Sequence, residues 1–412
     1  MRAAGIRQYS APVELLELPG PGELRSDEVL LAVACCGVGN WDEIARTGGW
    51  DLGRQPPMAL GVEAAGVVAG VGAAVASPAA GDRVMTHSLP LRGQGAWAEW
   101  FVAAAADVAA VPATVPFEVA AALPVPALTA DQTLGALGAG PGATVLVHGA
   151  GGVTGMLIVQ LARHLGAEVV ATAGQHSAAR VAAAGAAHVL DRRSPDWPGQ
   201  VRELTGGRGV DLAANAVPGG AARALGAVTN GGRLATITSD PPDSERGIEV
   251  KQVYVVPDGP RLAQLGDLLA AGIISVSANA AFPLEHAAGA LAYLREGTNG
   301  QAVVLQPGPA LLVSRGCRRR GRSQRVPVPV AVVAAGWPGR WTGQGVSLYR
   351  AAQTMISAVA TIWIPPSTMN TPSPMATARA VVKTDASSHT RNASWLMPAE
   401  QRALMRWEIC GT

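Results

Sequence analysis

The sequence predicts an α/β protein in two parts, a β-rich N-terminal region and a doubly wound domain built on a parallel sheet. Three observations lead there. From Val145 onward, short β-branched or apolar runs alternate with Ala/Leu-rich stretches of helical period. Before about residue 122, short apolar runs are separated by Gly and Pro turns and little reads as helix. Between the first of the later runs and the helix after it stands a glycine-rich turn.

The elements follow in order. "EVLLAVACCGV", "EAAGVVAGVG", "GDRVMTH" and "AWAEWFV" read as the strands of residues 1–122. Over 123–259, "TVLVHG", "AEVVATAG", "AHVLD", "VDLAANA" and "RLATITS" alternate with helical stretches such as "VTGMLIVQLARHLG" and "SAARVAAAGA". After Asp258, "RLAQLGDLLAAG" and "LEHAAGALAYLREG" have amphipathic helical spacing, and "QAVVLQ" reads as a closing strand. Beyond Pro307 the periodicity stops. Residues 309–412 contain the basic run "RGCRRRGRSQR" and the Pro/Ser/Thr-rich "PPSTMNTPSPMATA", a composition that buries little apolar surface and predicts a disordered, basic, atypical extension. A nucleic-acid arm is the sharper alternative, resting on the arginine run alone, and nucleic acid is not the expected partner.

Composition narrows the function classes. The formal charge of +2 conceals a split: residues 1–308 hold 19 basic against 27 acidic side chains, and residues 309–412 hold 13 against 3. No run reaches the roughly 18–20 apolar residues of a membrane helix, and the first residues lack the apolar core of a secretory signal. The expectation is a cytoplasmic protein without a membrane partner. Four cysteines in 412 residues make no disulfide framework.

The most specific signal is "VLVHGAGGVTGMLIVQLA". Gly149, Gly152, Val153, Thr154 and Gly155 follow a strand at the mouth of a helix, where backbone N–H groups and the helix dipole favour a pyrophosphate. In NAD sites an acid about 20 residues further on binds the ribose 2′-hydroxyl. Here no acid occurs between Glu168 and Asp191, whereas His176, Ser177 and Arg180 supply polar and cationic donors. The expected cofactor is therefore NADPH, with Ser177 and Arg180 as candidate partners of the 2′-phosphate.

Together "CGVGNWDE", "PPMALGVEAAGVVAGVG", "GDRV", "GAWAEW", "AAALPVPALTA", "VLVHGAGGVTG" and "GGRLATI" resemble, in this order, the medium-chain dehydrogenase/reductase superfamily, and within it the zinc-free quinone oxidoreductase, ζ-crystallin-like branch. The resemblance covers residues 1 to about 308. It implies a GroES-like catalytic domain from residues 1–122 and 260–308, a Rossmann domain over 123–259, a cleft between them, and a homodimer. The positions where zinc-dependent members carry Cys and His hold Gly39 and Val62, and "LPVPALTA" holds no thiol, so no metal is expected. The asparagine usual at the Gly39 position stands one place later, as Asn40. The family's phosphate-binding lysine aligns nearer Ser177 than Arg180, and the lysine frequent before the closing strand is Gln301.

A quinone is already electrophilic and needs hydrogen-bond donors to its oxygen more than a metal or buried acid. The sequence reading therefore places Asn40 and Trp41 in an acceptor pocket, one as polar contact and one as wall, with a core aromatic as the alternative for Trp41. Asp42 is read as fixing its loop through backbone N–H bonds, with proton transfer as the alternative, and Thr129 as lying near the nicotinamide, as the resemblance implies. Glu63 and His148 are read as structural. His87 is left between the cleft and an exposed loop, and Cys35 and Cys36 as the end of an apolar strand. The expected activity is NADPH-dependent reduction of a quinone or other activated carbonyl or enone, a small-molecule electron acceptor. An enone or enal double-bond reductase and an NADPH-binding redox sensor are the alternatives.

Overall fold

Alternating apolar residues build the N-terminal part from β1 (Arg2–Ile6), β2 (Glu14–Glu17), β3 (Glu28–Val38), β4 (Met58–Ala59), β5 (Glu63–Val71), β6 (Arg83–His87), β7 (Trp100–Ala104) and β8 (Val108–Ala110), with one short helix, α1 (Asn40–Arg46), directly after β3. The computed structural model describes residues 1–278 and 280–308, so the basic extension expected over 309–412 lies outside the described residues. β3 is the spine of this half. Its eleven residues pair with both β5 and β7, and Cys35 and Cys36 near its end are buried, as read from the sequence.

Two helices, α2 (Phe117–Ala121) and α3 (Pro124–Leu137), lead into the doubly wound part. There β9 (Thr144–His148), α4 (Val153–His164), β10 (Glu168–Ala173), α5 (Gln175–Ala183), β11 (His188–Asp191), α6 (Trp197–Leu204), β12 (Val210–Asn215), α7 (Ala221–Gly226), β13 (Val228–Thr236) and β14 (Glu249–Gln252) follow in turn. The six strands are parallel in the order β11-β10-β9-β12-β13-β14, so the strand order reverses between β9 and β12. In such sheets ligands bind outside the carboxyl ends of the strands at that reversal. The glycine-rich turn follows β9 and stands there.

The chain then returns. α8 (Gly259–Ala270) packs against β8 and α3. β15 (Ala280–Pro283), α9 (Ala287–Glu296) and β16 (Val303–Gln306) follow, and β16 pairs antiparallel with β3 at Val303↔Val38. The larger N-terminal sheet thus runs β15-β16-β3-β5-β6-β8 with β7 also on β3, beside a small sheet β2-β1-β4. A single buried cluster joins Cys35, Ala65 and Met85 of this sheet to Leu128 and Leu134 of α3, Leu157 of α4 and Leu262 of α8. Such a shared core ties the two sheets through α3, α4 and α8. Among the described residues no helix is long and apolar enough to cross a membrane.

Candidate active site

The first half of the site is the turn between β9 and α4. Gly149 has φ +92°, a conformation side chains rarely adopt, and a Cβ there would meet Val217. Gly155 lies against the turn itself: a Cβ would come 2.2 Å from the Gly149 carbonyl oxygen. At Gly151 a Cβ would sit 2.5 Å from the Ser177 hydroxyl. Gly152 is the N-cap of α4 and supplies no side-chain cap, so the first backbone N–H groups of a twelve-residue helix are left for another acceptor. Val153 and Thr154 form the first turn of α4, both half-buried.

The turn is braced from below. The Thr172 hydroxyl contacts the Gly149 N–H at 3.2 Å and the His148 ring Nδ1 at 2.7 Å. His148 stacks on Trp197, its pKa lowered to about 4 by burial first and by the charges of Arg223 and Arg192 second, so the ring is neutral. On its other side Asn215 donates to the hydroxyls of Thr236 and Thr238. Strand register sets Thr172, His148, Asn215 and Thr236 side by side across the carboxyl ends of β10, β9, β12 and β13. Reading single motifs misses this row. Its signal is present all the same, because "TVLVH", "VDLAAN" and "RLAT" are apolar runs that each close on a polar residue.

Ser177 and Arg180 lie beside the turn, on α5. Ser177 is buried and its hydroxyl donates to the Gly174 carbonyl at 3.0 Å. Arg180 donates to the Gly151 carbonyl at 3.1 Å.

The second half is the junction of β3 and α1. Asn40 opens α1 and is exposed. The ring of Trp41 folds back over Gly39, where a Cβ would lie 2.2 Å from it, and the buried indole N–H has no partner among the described residues. Asp42 is fully buried and accepts the Gly39 N–H at 2.8 Å. Burial pushes its pKa up to about 7, against the opposing pull of the Gly39 and Gly61 N–H groups. Glu63, also buried, accepts the Val125 N–H at 2.8 Å and so caps the first turn of α3 from β5; burial first and the Asp42 charge second hold its pKa well above the usual range. One turn along α3, the Thr129 hydroxyl donates to the Val125 carbonyl at 2.7 Å. The structure therefore gathers Asp42, Glu63 and the α3 first turn. Among the described residues no hydrogen bond joins Asn40, Trp41 or Asp42 to the glycine turn.

His87 needs correcting. It is neither in a loop nor exposed but buried at the end of β6, its Nδ1 held 3.1 Å from the Val62 carbonyl and its pKa lowered to about 4 by burial. Two surface concavities, of about 410 and 210 Å³, open beside Arg83 and Arg208 and include none of the site residues.

Residues 25–113 match the family described as "Alcohol dehydrogenase GroES-like domain", and residues 153–256 the one described as "Zinc-binding dehydrogenase". The chain is 32% identical over 251 residues to a quinone oxidoreductase of Lama guanicoe, spanning 59% of this chain and 74% of that one. The chain belongs to the quinone oxidoreductase branch of the medium-chain dehydrogenase/reductase superfamily. It is also 40% identical over 200 residues to an erythronolide synthase of Saccharopolyspora erythraea, which covers 48% of this chain and only 5% of that much longer one. It likewise spans 8% or less of each of two polyketide synthases that it matches. Among solved structures, an NAD-dependent alcohol dehydrogenase superposes with a TM-score of 0.68 at 30% identity, over 75% of this chain and all of that one. Escherichia coli quinone oxidoreductase complexed with NADPH gives 0.66 at 26%, over 74% and 100%.

The zinc in one of those family descriptions does not fit the residues present. Zinc requires several N, S or carboxylate donors converging on one point. At the ligand positions stand Gly39 and Val62, the Gly39 space is filled by the Trp41 ring, and no group of three or more His, Cys, Asp or Glu among the described residues is arranged to hold a metal ion.

Proposed function

We propose that this quinone oxidoreductase relative is an NADPH-dependent reductase that transfers hydride to a quinone or another activated carbonyl or enone acceptor without metal assistance. The observation that carries the proposal is the glycine turn: a Cβ at Gly155 would strike the turn's own backbone, one at Gly149 or Gly151 would crowd Val217 or Ser177, and the uncapped start of α4 presents N–H groups where a pyrophosphate would lie. The absence of any acid between Glu168 and Asp191 supports NADPH over NADH. The Escherichia coli relative complexed with NADPH supports it further.

When bound, NADPH supplies a hydride from its nicotinamide to the acceptor, and a solvent proton completes the reduction. The chain's own residues hold and orient. Gly149 to Gly155 bind the pyrophosphate, while Thr129, its proton given to Val125, keeps oxygen lone pairs for a carboxamide N–H. Asn40 donates to the acceptor oxygen, Trp41 closes the wall, and Asp42 fixes the junction by holding the Gly39 N–H. An unactivated alcohol would need a base or Lewis acid in contact with its hydroxyl, a role this reading gives to none of these residues. The working unit in this reading is a homodimer, supported by the open edge at β14 and the exposed Tyr254 and Val256 just after it.

The test follows NADPH absorbance with the full chain and a panel of quinones, enones and alcohols. Turnover with quinones, at unchanged rate after chelation, supports the proposal. Tight NADPH binding without turnover on any acceptor overturns it in favour of a sensor, and turnover on enones alone transfers it to a double-bond reductase.

A further inference from the structure

We propose a division of labour between two arginines: Arg192 is the cation that meets the 2′-phosphate of NADPH, and Arg180 is a positioning residue that holds the glycine turn against the segment leading into β16. The proposal rests on the NADPH reading above.

Arg180 is already engaged. Its Nη2 donates to the Gly151 carbonyl, and a Cβ on Gly300 would lie 2.3 Å from that nitrogen and 2.4 Å from the same carbonyl. The guanidinium is therefore wedged between the turn after β9 and Gly300, whose φ of +75° belongs to the turn preceding β16. Since β16 pairs with β3, whose last residue is one short of Gly39, this contact joins the two halves of the site through a side chain whose charge faces backbone.

Arg192 is placed differently. It directly follows β11, and its backbone N–H donates to the Ala173 carbonyl at 3.0 Å, which pins it beside the end of β10, where a dinucleotide's adenosine ribose is met in doubly wound sheets. The side-chain Nε reaches to 3.5 Å from where a Gly174 Cβ would be. Gly174 is the N-cap of the nine-residue α5 and gives it no side-chain cap, and a Cβ there would meet only the Arg192 Nε and, at 4.0 Å, the Ser177 hydroxyl, so the exposed guanidinium stands beside an uncapped helix start. Among the described residues no carboxylate pairs with Arg192; its neighbour Asp191 accepts the Arg193 N–H instead. An unpaired, planar, permanently charged donor beside a helix start is suited to a phosphate dianion.

The experiment measures Kd for NADPH and for NADH on the full chain by calorimetry, for the wild type, Arg192→Met, Arg192→Lys and Arg180→Met. Arg192→Met is expected to weaken NADPH about 10- to 100-fold, the range of one lost charge-assisted contact, and to leave NADH within about twofold. Arg192→Lys restores part of the NADPH affinity, since it keeps the charge but loses the fork. Arg180→Met weakens both nucleotides alike, because both share the glycine turn. NADPH preference surviving Arg192→Met, or lost selectively in Arg180→Met, overturns the assignment while the NADPH reading stands. Equal affinities in the wild type overturn that reading and this inference with it. Should Arg180→Met fail to fold, the two Arg192 variants decide the phosphate assignment, and Arg180→Lys, which can still reach the Gly151 carbonyl, decides the other half by retaining both affinities if the latch is correct.

Discussion

Replacing Gly155 with alanine separates what the glycine turn does for the fold from what it does for a ligand. Alanine in the first turn of α4 is the better helix former, by about 1 kcal/mol. Against that, the added Cβ would lie 2.2 Å from the Gly149 carbonyl oxygen and 2.9 Å from the Ala150 Cα, both backbone atoms of the turn itself. Ordinary contact requires the helix and the turn to part by about 1 Å. Overpacking of that kind costs about 1–3 kcal/mol, so the clash outweighs the propensity gain. The turn's N–H groups move with it, and a shift of about 1 Å in a positioning group can lower activity on the order of 100-fold.

The control is Gly152→Ala. Gly152 has an ordinary φ of −82°, and the atom nearest its Cβ would be 3.7 Å away, so the folded chain tolerates it. Its only local effect is loss of an N-cap preference of about 0.5 kcal/mol. A methyl there would nevertheless stand where a pyrophosphate approaches the backbone. The expected result, read by thermal melting and NADPH titration, is that Gly155→Ala lowers both melting temperature and affinity, while Gly152→Ala lowers affinity alone. Wild-type behaviour of Gly155→Ala would refute the packing argument, and unchanged NADPH affinity in Gly152→Ala would refute the placement of the pyrophosphate.

Two further outcomes are expected. Because burial raises Asp42 to about 7, above its unfolded value of about 3.9, its stabilising contribution is full below about pH 4 and lost as pH rises through about 7; Asp42→Asn should remove its share of that loss from the melting temperature, leaving the share of Glu63, also raised by burial, and the opposite trend of His87 and His148, both lowered to about 4, which destabilise the fold as pH falls from about 6.5 through 4. An unaltered pH profile would contradict the burial argument. Gly39→Cys with Val62→His should retain no zinc after dialysis, measured by atomic absorption, because the Trp41 ring occupies the space of a residue 39 side chain; stoichiometric zinc in that variant would show that the ring yields.

The fold was legible wherever a local pattern determines it. Alternating runs and a strand–glycine–helix junction were enough for the parallel sheet, and the apolar run ending at Cys35 and Cys36 for the spine of the other. Pairings between distant segments were not, because they depend on register. His148 reads as a packed strand residue, and it is one, but its bond to Thr172 and its place in a row with Asn215 and Thr236 come from three separate pairings. His87 misled for a related reason: "GDRVMTH" runs into a Ser-Leu-Pro loop, and only the antiparallel pairing with Glu63 shows that the strand keeps its last residue inside. Arg180 was visible as a cation near the turn, whereas its commitment to Gly151 and the nearness of Arg192 to Gly174 require the folded α5 and β11.

Helix starts show how the sequence distributes stability and function. α6 and α8 begin at Asp196 and Asp258, whose side chains accept the Gly199 and Arg261 N–H groups, the ordinary solution for a helix that only needs to be stable. α4 and α5, which flank the candidate cofactor site, begin instead at Gly152 and Gly174, with no side-chain cap. α1 and α7 also begin on glycine, but there a Cβ at Gly39 would strike the Trp41 ring and one at Gly220 would strike His148 and Asn215, so packing alone explains them. Packing does not explain Gly152, whose Cβ would meet nothing closer than 3.7 Å, nor Gly174, whose nearest neighbour would be the Arg192 side chain. At those two positions an aspartate cap would add roughly a few tenths of a kcal/mol and place a negative charge where the phosphates are proposed to lie. Leaving both helix starts uncapped is consistent with an anionic ligand supplying the missing acceptors.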